Sequence, residues 1–177
     1  MRTVRTRRPG GAARRAVAAA VAMAALALTG CATSPGAAVT VNGKSVSIAH
    51  FWDNVAACAD ITGASSDEIW RDIGTYTVRA EVARVIMEGR GIEFSEAELA
   101  SIVQDGVGNH ALADPTCKAV ILGAAAWEML SFRLGADQFD AAVREIDVEI
   151  NPRYGNWDPT NGRASGSGSL SSNFGPR

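Results

Sequence analysis

Apolar residues recur every three to four positions over most of this 177-residue chain after residue 47, which is the spacing of amphipathic helices. In the first such segment Phe51 and Val55 share one face, and the segment stops near Gly63. A second segment, from about residue 65 to Arg90, is apolar over so much of its circumference that neighbours must cover it on more than one side. We therefore expect the second helix to be the centre of the fold.

Local capping signals set the starts of the later helices. Ser65 followed by Glu68, and Ser95 followed by Glu98, each have the spacing of a capping box, in which two side chains satisfy free amides at a helix start. Asp114-Pro115 opens a fourth helix, because proline is favoured at the first helical position. A fifth helix follows, up to about residue 146.

Short extended segments flank the helices. Val39 to Asn42 alternates apolar and polar residues, and Asn42-Gly43 supplies the positive-φ positions of a tight hairpin turn. Val148 to Ile150 is extended, and Pro152 prevents a helix from continuing through it. The pattern as a whole predicts a mainly α domain with about five helices.

The first thirty residues have the order of an export signal. Six arginines and no acidic residue precede an apolar run, Ala16 to Leu28, which is too short to span a bilayer permanently. Leu28-Thr29-Gly30-Cys31 follows and resembles the lipobox of bacterial lipoproteins, in which the cysteine receives the lipid. A plain secretory signal or an uncleaved anchor helix is the alternative. We expect lipidation at Cys31, which would anchor the protein to the extracytoplasmic face of the cell membrane.

Removal of this signal leaves an acidic protein. The chain has 17 Lys and Arg against 19 Asp and Glu, and six of the arginines precede Cys31, so the remainder has eleven basic residues and a net charge of −8. We expect no nucleic-acid partner, because nucleic-acid binding needs Lys and Arg to replace phosphate counterions. Composition predicts a signal peptide (1–30), a lipidated tether (31–38), one helical domain (39–158) and a flexible Gly/Ser-rich tail (159–177).

Two motifs resemble a known family. Val39-Thr-Val-Asn-Gly43 before the helices, and a long helix that ends in Gly91-Ile-Glu-Phe-Ser-Glu-Ala-Glu98, are similar to the N-terminal domain of SurA-type periplasmic chaperones and PrsA-type foldase lipoproteins. The resemblance implies that residues 39–41 pair with residues 148–150, so that a two- or three-stranded sheet joins the N- and C-terminal extended segments. Those relatives also carry parvulin-type prolyl isomerase domains, for which the residues after Asn151 are too few. The resemblance therefore implies binding of unfolded or partner polypeptides without isomerase activity.

Cys58 and Cys117 are the two cysteines besides Cys31. In an exported protein an even pair predicts a disulfide, here between the first helix and the start of the fourth. Two separate buried thiols are the alternative, and a zinc site with His50 and His110 is formally available but lacks close ligand spacing. We expect no metal, no cofactor and no catalytic residues.

Trp52 and Trp70 are the candidate client-binding residues. Each adjoins a residue better placed for the core, so the two rings, if exposed together, would form an apolar patch that holds a partner. Packing at the edge of the core is the other interpretation. We expect an anchored lipoprotein with a chaperone-like domain. The alternatives are an accessory or structural lipoprotein that binds one fixed protein partner, and an unrecognised hydrolase.

Overall fold

The computed structural model of the chain describes residues 35–103 and 110–165, which belong to one compact unit. The predicted signal peptide and Cys31 lie outside the described residues. Within them, no helix is both long enough and apolar enough to cross a membrane.

The described part is mainly helical, as the hydrophobic pattern predicts, and it also has two small antiparallel sheets. Its helices are α1 (Ile48–Thr62), α2 (Ser66–Arg90), α3 (Glu96–Val103), α4 (Pro115–Leu134) and α5 (Ala136–Arg144). Its strands are β1 (Ala37–Val41), β2 (Lys44–Ser47), β3 (Val148–Ile150), β4 (Asn156–Asp158) and β5 (Arg163–Ser165).

The predicted helix starts are present as local hydrogen bonds. At α2 the Ser65 amide donates to a Glu68 carboxylate oxygen at 2.8 Å. At α3 the Ser95 amide donates to Glu98 at 2.7 Å. The Asp114 carboxylate accepts from two free amides in the first turn of α4, at 2.7 and 3.0 Å. Each cap satisfies donors that have no partner within the helix.

Helix α2 is the centre of the fold, as its apolar circumference predicts. It packs along α4 and also contacts α1, β1 and β5. Val78 and Val82 of α2 have no exposed surface. The approach to α4 is close, because a Cβ on Gly123 would overlap the side chain of Ala80. Thr77 is buried in the same region, although the apolar pattern does not predict a buried polar residue there. Its hydroxyl is satisfied because it donates to the carbonyl one turn earlier at 2.8 Å.

Strand β1 is the middle strand of the first sheet, between β2 and β3. Val39 pairs with Ile150 in antiparallel register, which is the pairing that the family resemblance implies. The turn after β1 has φ 46° at Asn42 and 78° at Gly43. The Asn42 side-chain oxygen also accepts from the Asp147 amide at 2.9 Å. The sheet thus joins the beginning of the described unit to the segment after α5.

The ordered unit is longer at both ends than composition predicts. The last two residues of the expected tether are buried in β1, and the carbonyl of Ala37 accepts from the Asn151 side chain at 3.1 Å. Residues 159–165, which composition assigns to the flexible tail, complete the β4–β5 hairpin. Arg79 Nε donates to the Gly162 carbonyl at 2.7 Å. The prediction of a tail from residue 159 is therefore wrong for this segment, because a long-range contact orders residues whose composition is typical of loops.

A disulfide joins Cys58 on α1 to Cys117 in the first turn of α4, with their Cα atoms 4.9 Å apart. Both residues are 1% exposed. The bond therefore lies inside the core and connects two helices that both pack on α2. Because the bond uses both sulfurs, neither cysteine is available as a zinc ligand.

Candidate functional site

Four aromatic side chains from three parts of the fold meet on one side of the described unit. Phe51 and Trp52 are neighbours near the start of α1, Trp70 lies in the second turn of α2, and Tyr154 follows β3. The Tyr154 ring centroid lies 5.0 Å from that of Phe51, 6.3 Å from Trp52 and 6.2 Å from Trp70. We call these four side chains the aromatic cluster. The structure thus brings the two candidate tryptophans together through Tyr154.

A tight turn after β3 fixes the position of Tyr154. The Tyr154 amide donates to the Asn151 carbonyl at 2.8 Å, with Pro152 at the second position, where its fixed φ suits a turn. Asn151 anchors this turn to β1, because its amide donates to the Ala38 carbonyl at 2.9 Å and its side chain donates to the Ala37 carbonyl at 3.1 Å. The sheet therefore holds the central ring of the aromatic cluster in place.

The aromatic cluster has a buried base and an exposed outer face. Phe51 is 1% exposed, whereas Trp52 is 37% exposed, and Trp70 and Tyr154 are half-buried. Trp52 Nε1 donates to the Tyr154 hydroxyl at 3.2 Å, which leaves the hydroxyl hydrogen free to be donated to another group. Trp52 meets Phe51 at 71° and Tyr154 at 68°, in the edge-to-face geometry that aromatic pairs favour. The outer face is therefore an apolar surface of fixed shape.

A cavity of about 350 Å³ lies beside the aromatic cluster. Its walls come from β1, β3, β5, α1, α2 and the turn that carries Tyr154. Most of the lining is apolar, including Val39, Val78 and Ile150, and the charged lining residue is Arg71. The size and the apolar lining are typical of small-molecule sites.

Gly74 keeps space open on the α2 wall of this cavity. Glycine in a helix interior is less favourable than alanine by roughly 1 kcal/mol. A Cβ at position 74 would lie 3.6 Å from Phe51 Cε2, which is ordinary van der Waals contact, so helix packing does not require glycine here. A larger side chain at this position would instead occupy the cavity.

Arg71 places a positive charge at the mouth of the cavity. Its guanidinium carbon lies 5.1 Å from the Trp70 ring centroid, a distance that allows cation–π attraction. Within residues 35–103 and 110–165, the carboxylates at ion-pair distance from a cation face Arg79, Arg84 and Lys118 instead. The mouth of the cavity is therefore a cationic point on an acidic protein.

The titratable groups with shifted pKa values include two that serve as helix caps and do not line this cavity. Hydrogen bonds from the Ser65 backbone and side chain lower the pKa of Glu68. Hydrogen bonds from the Ser95 side chain and backbone lower the pKa of Glu98. In the part of the chain that the structure describes, no three His, Cys, Asp or Glu side chains are grouped as metal ligands.

The remaining candidate residues lie elsewhere. Cys58 and Cys117 are joined in the core. His50 is exposed in the first turn of α1, and His110 is exposed before α4. Trp127 is 6% exposed and packs edge-to-face on Phe139 at 4.8 Å, so it belongs to the core.

Sequence reasoning missed two residues of this region, Arg71 and Gly74. A charged residue in a predicted surface position carries no signal of its own. A glycine inside a helical pattern does carry one, since it often has a packing or functional reason. That signal was present at Gly74 in the middle of the longest predicted helix.

No protein-family model matches the chain, and no curated protein and no solved structure matches it either. The resemblance to SurA-type and PrsA-type domains stays a prediction that rests on the two sequence motifs.

Proposed function

We propose that this chain is a lipid-anchored protein of the extracytoplasmic membrane face whose helical domain binds unfolded polypeptides in a chaperone-like manner, without catalysis. The observation that carries the proposal is the aromatic cluster, whose outer face is apolar and partly exposed, with Trp52 as its most exposed ring. Such a surface attracts apolar side chains by removing them from water. The export signal and the lipobox-like sequence ending at Cys31 support the location.

The composition of the aromatic cluster suits contact with many different segments. Trp and Tyr offer a large apolar area with few rotatable bonds, so that binding loses little conformational entropy. The Tyr154 hydroxyl adds a hydrogen-bond donor that an unfolded main chain can use. With a net charge of −8 after Cys31, the protein would hold apolar segments by burial, and binding should weaken little with salt.

The experiment follows aggregation of an unrelated unfolding protein in the presence of residues 33–177, which contain the described compact unit. We expect suppression by the wild-type unit, and an affinity for the unfolded protein that falls about 5- to 30-fold in Trp52→Ala or Trp70→Ala, as for central aromatic residues of interfaces. Phe132→Ala is the matched control, because Phe132 is an aromatic residue 85% exposed outside the aromatic cluster. Trp127→Ala should destabilise the core instead.

Prolyl isomerisation should stay at its uncatalysed rate, tens to hundreds of seconds, in the same preparation. A lack of suppression at several-fold molar excess would contradict the proposal. Equal loss of suppression in Trp52→Ala and Phe132→Ala would contradict the assignment of the surface.

A second candidate is an accessory lipoprotein that binds one fixed protein partner. It is favoured by the hydrogen bonds that hold the aromatic cluster together, namely the Trp52–Tyr154 bond and those of the turn anchored by Asn151. Rigid, complementary surfaces are typical of specific interfaces. Capture from membranes at low salt separates the two functions: many unfolded proteins support the chaperone-like function, and one partner at a fixed ratio supports the accessory function.

A further inference from the structure

We propose that the cavity beside the aromatic cluster is a binding site for a small amphiphile with one carboxylate and an apolar body of roughly ten carbon atoms. The site lies inside the cavity walls, whereas the polypeptide-binding surface proposed above is the outer face of the aromatic cluster. Phe51, Trp70 and Tyr154 also line the cavity, so the two proposed sites share a wall. Arg71 and Gly74, which line the cavity but are not part of the aromatic cluster, are therefore the positions that test this site separately.

The volume of the cavity sets the size of the ligand. An apolar cavity of about 150 Å³ holds benzene, so a cavity of about 350 Å³ holds on the order of ten to fourteen carbon atoms. This is enough for a medium-length alkyl chain or two fused rings. It is too little for an extended segment of several amino-acid residues, each of which advances the chain by about 3.3 Å and adds a side chain.

The main chain around the cavity also argues against a peptide. Each peptide unit would bring an N–H and a C=O that need partners once they leave water. Main-chain groups of the wall already have partners: the Ala38 carbonyl accepts from the Asn151 amide at 2.9 Å, and the Ala164 amide donates to the Thr75 hydroxyl at 3.3 Å. A hydrocarbon body brings no such groups into the cavity.

Arg71 determines which head group the proposed ligand carries. A guanidinium binds a carboxylate through two parallel N–H···O bonds, and Arg71 has no carboxylate within ion-pair distance among the described residues. Arg71 is the charged residue of the lining. Its single positive charge matches a ligand that carries a single negative charge. Tyr154 also lines the cavity, and its hydroxyl retains a hydrogen to donate, because it accepts from Trp52.

Decanoate is the probe, and decanol is the uncharged comparator of the same chain length. Binding to residues 33–177 is measured by titration calorimetry below the concentration at which either compound self-associates, with tryptophan fluorescence as a second readout. Wild type should bind decanoate at least about ten-fold more tightly than decanol, as expected for one charge-assisted contact. Arg71→Gln should weaken decanoate binding about ten-fold and leave decanol binding unchanged.

Gly74→Leu tests the cavity itself, because the new side chain would fill it and should weaken both compounds by about ten-fold or more. Gly89→Leu is the matched control: it makes the same change in the same helix where a Cβ meets nothing within 4 Å. If Gly74→Leu lowers the melting temperature too far, Gly74→Ala takes its place. The alanine Cβ fits beside Phe51 at 3.6 Å. Alanine also has a higher helix propensity than glycine, and its methyl group still removes part of the cavity volume.

Three outcomes would overturn the proposal. One is equal affinity of wild type for decanoate and decanol. The second is that the Gly74 variant, either Gly74→Leu or Gly74→Ala, weakens binding of the two compounds no more than the same substitution at Gly89 does. The third is tighter binding of an apolar tripeptide with a free C-terminus than of decanoate. Because no unfolded protein takes part in this titration, its result is separate from that of the aggregation assay.

Discussion

Removal of the disulfide between Cys58 and Cys117 should lower stability by an amount that follows from its position in the chain. The two cysteines are 59 residues apart in sequence, and the chain entropy of closing a loop of that length corresponds to ~4 kcal/mol at 25 °C. Both residues are 1% exposed, so alanine at both positions also leaves a small gap in the core, which adds to the loss. For a domain of this size the melting temperature should fall by roughly 8–20 °C.

The assay is urea unfolding of residues 33–177, compared between wild type and the double variant Cys58→Ala/Cys117→Ala. Because the disulfide restricts the unfolded chain, the variant should also unfold with a larger m value. Reductant should move the wild-type midpoint close to that of the variant. It should leave the variant itself unchanged, which makes the variant its own control for other effects of the reductant.

Mass spectrometry after alkylation tests the bond directly. The denatured, unreduced protein should take up no label at Cys58 or Cys117, and it should take up two labels after reduction. Labelling before reduction would refute the disulfide. A stability loss under about 1 kcal/mol with an unchanged m value would refute the argument from loop closure.

Three further predictions concern the hairpin, a helix cap and the anchor. Gly162→Val should destabilise the protein by about 1–3 kcal/mol, measured by urea unfolding, because Gly162 has φ 56° and a Cβ there would lie 2.5 Å from Trp127 Cζ2. Hydrogen bonds from Ser95 lower the pKa of Glu98, so the stability that Glu98 contributes is present above the ordinary pKa of 4.5 and is lost as pH falls through the lowered pKa. Glu98→Gln should therefore reduce the loss of stability between neutral and acid pH, measured by urea unfolding, and an unchanged loss would contradict the prediction. Cys31→Ser should leave an unprocessed precursor without lipid label, and normal labelling would place the anchor elsewhere.

The helix boundaries could be predicted because their signals are local. Ser65 with Glu68, and the glycine at position 91, act within one helical turn, so the residues that decide are visible in a short stretch of sequence. The β4–β5 hairpin could not be predicted in the same way. Its order depends on Arg79 and Trp127, which lie far from Gly162 in sequence and approach it only after α2 and α4 have packed.

In the candidate site, too, the features set by local sequence could be predicted and those set by long-range packing could not. Trp52 and Trp70 could be selected from sequence, because each large ring adjoins a position that the helical period assigns to the core. The distance between the two rings could not be predicted, because it depends on Tyr154. The turn that carries Tyr154 is held by hydrogen bonds to β1, which is far away in the sequence. The cavity was not predictable either, since its lining comes from six separate parts of the fold that no local pattern relates to one another.

Photo-crosslinking from the aromatic cluster to an unfolded protein tests directly whether this surface binds unfolded polypeptides. The photoreactive residue p-benzoylphenylalanine is placed at Trp52, at Trp70 or, as the control, at Phe132, and each protein is illuminated with a reduced, carboxymethylated substrate that cannot fold. We expect crosslinks from positions 52 and 70, competed by unlabelled substrate, and few from position 132. Crosslinks from position 132 alone, or equal and uncompeted crosslinking from all three positions, would contradict it.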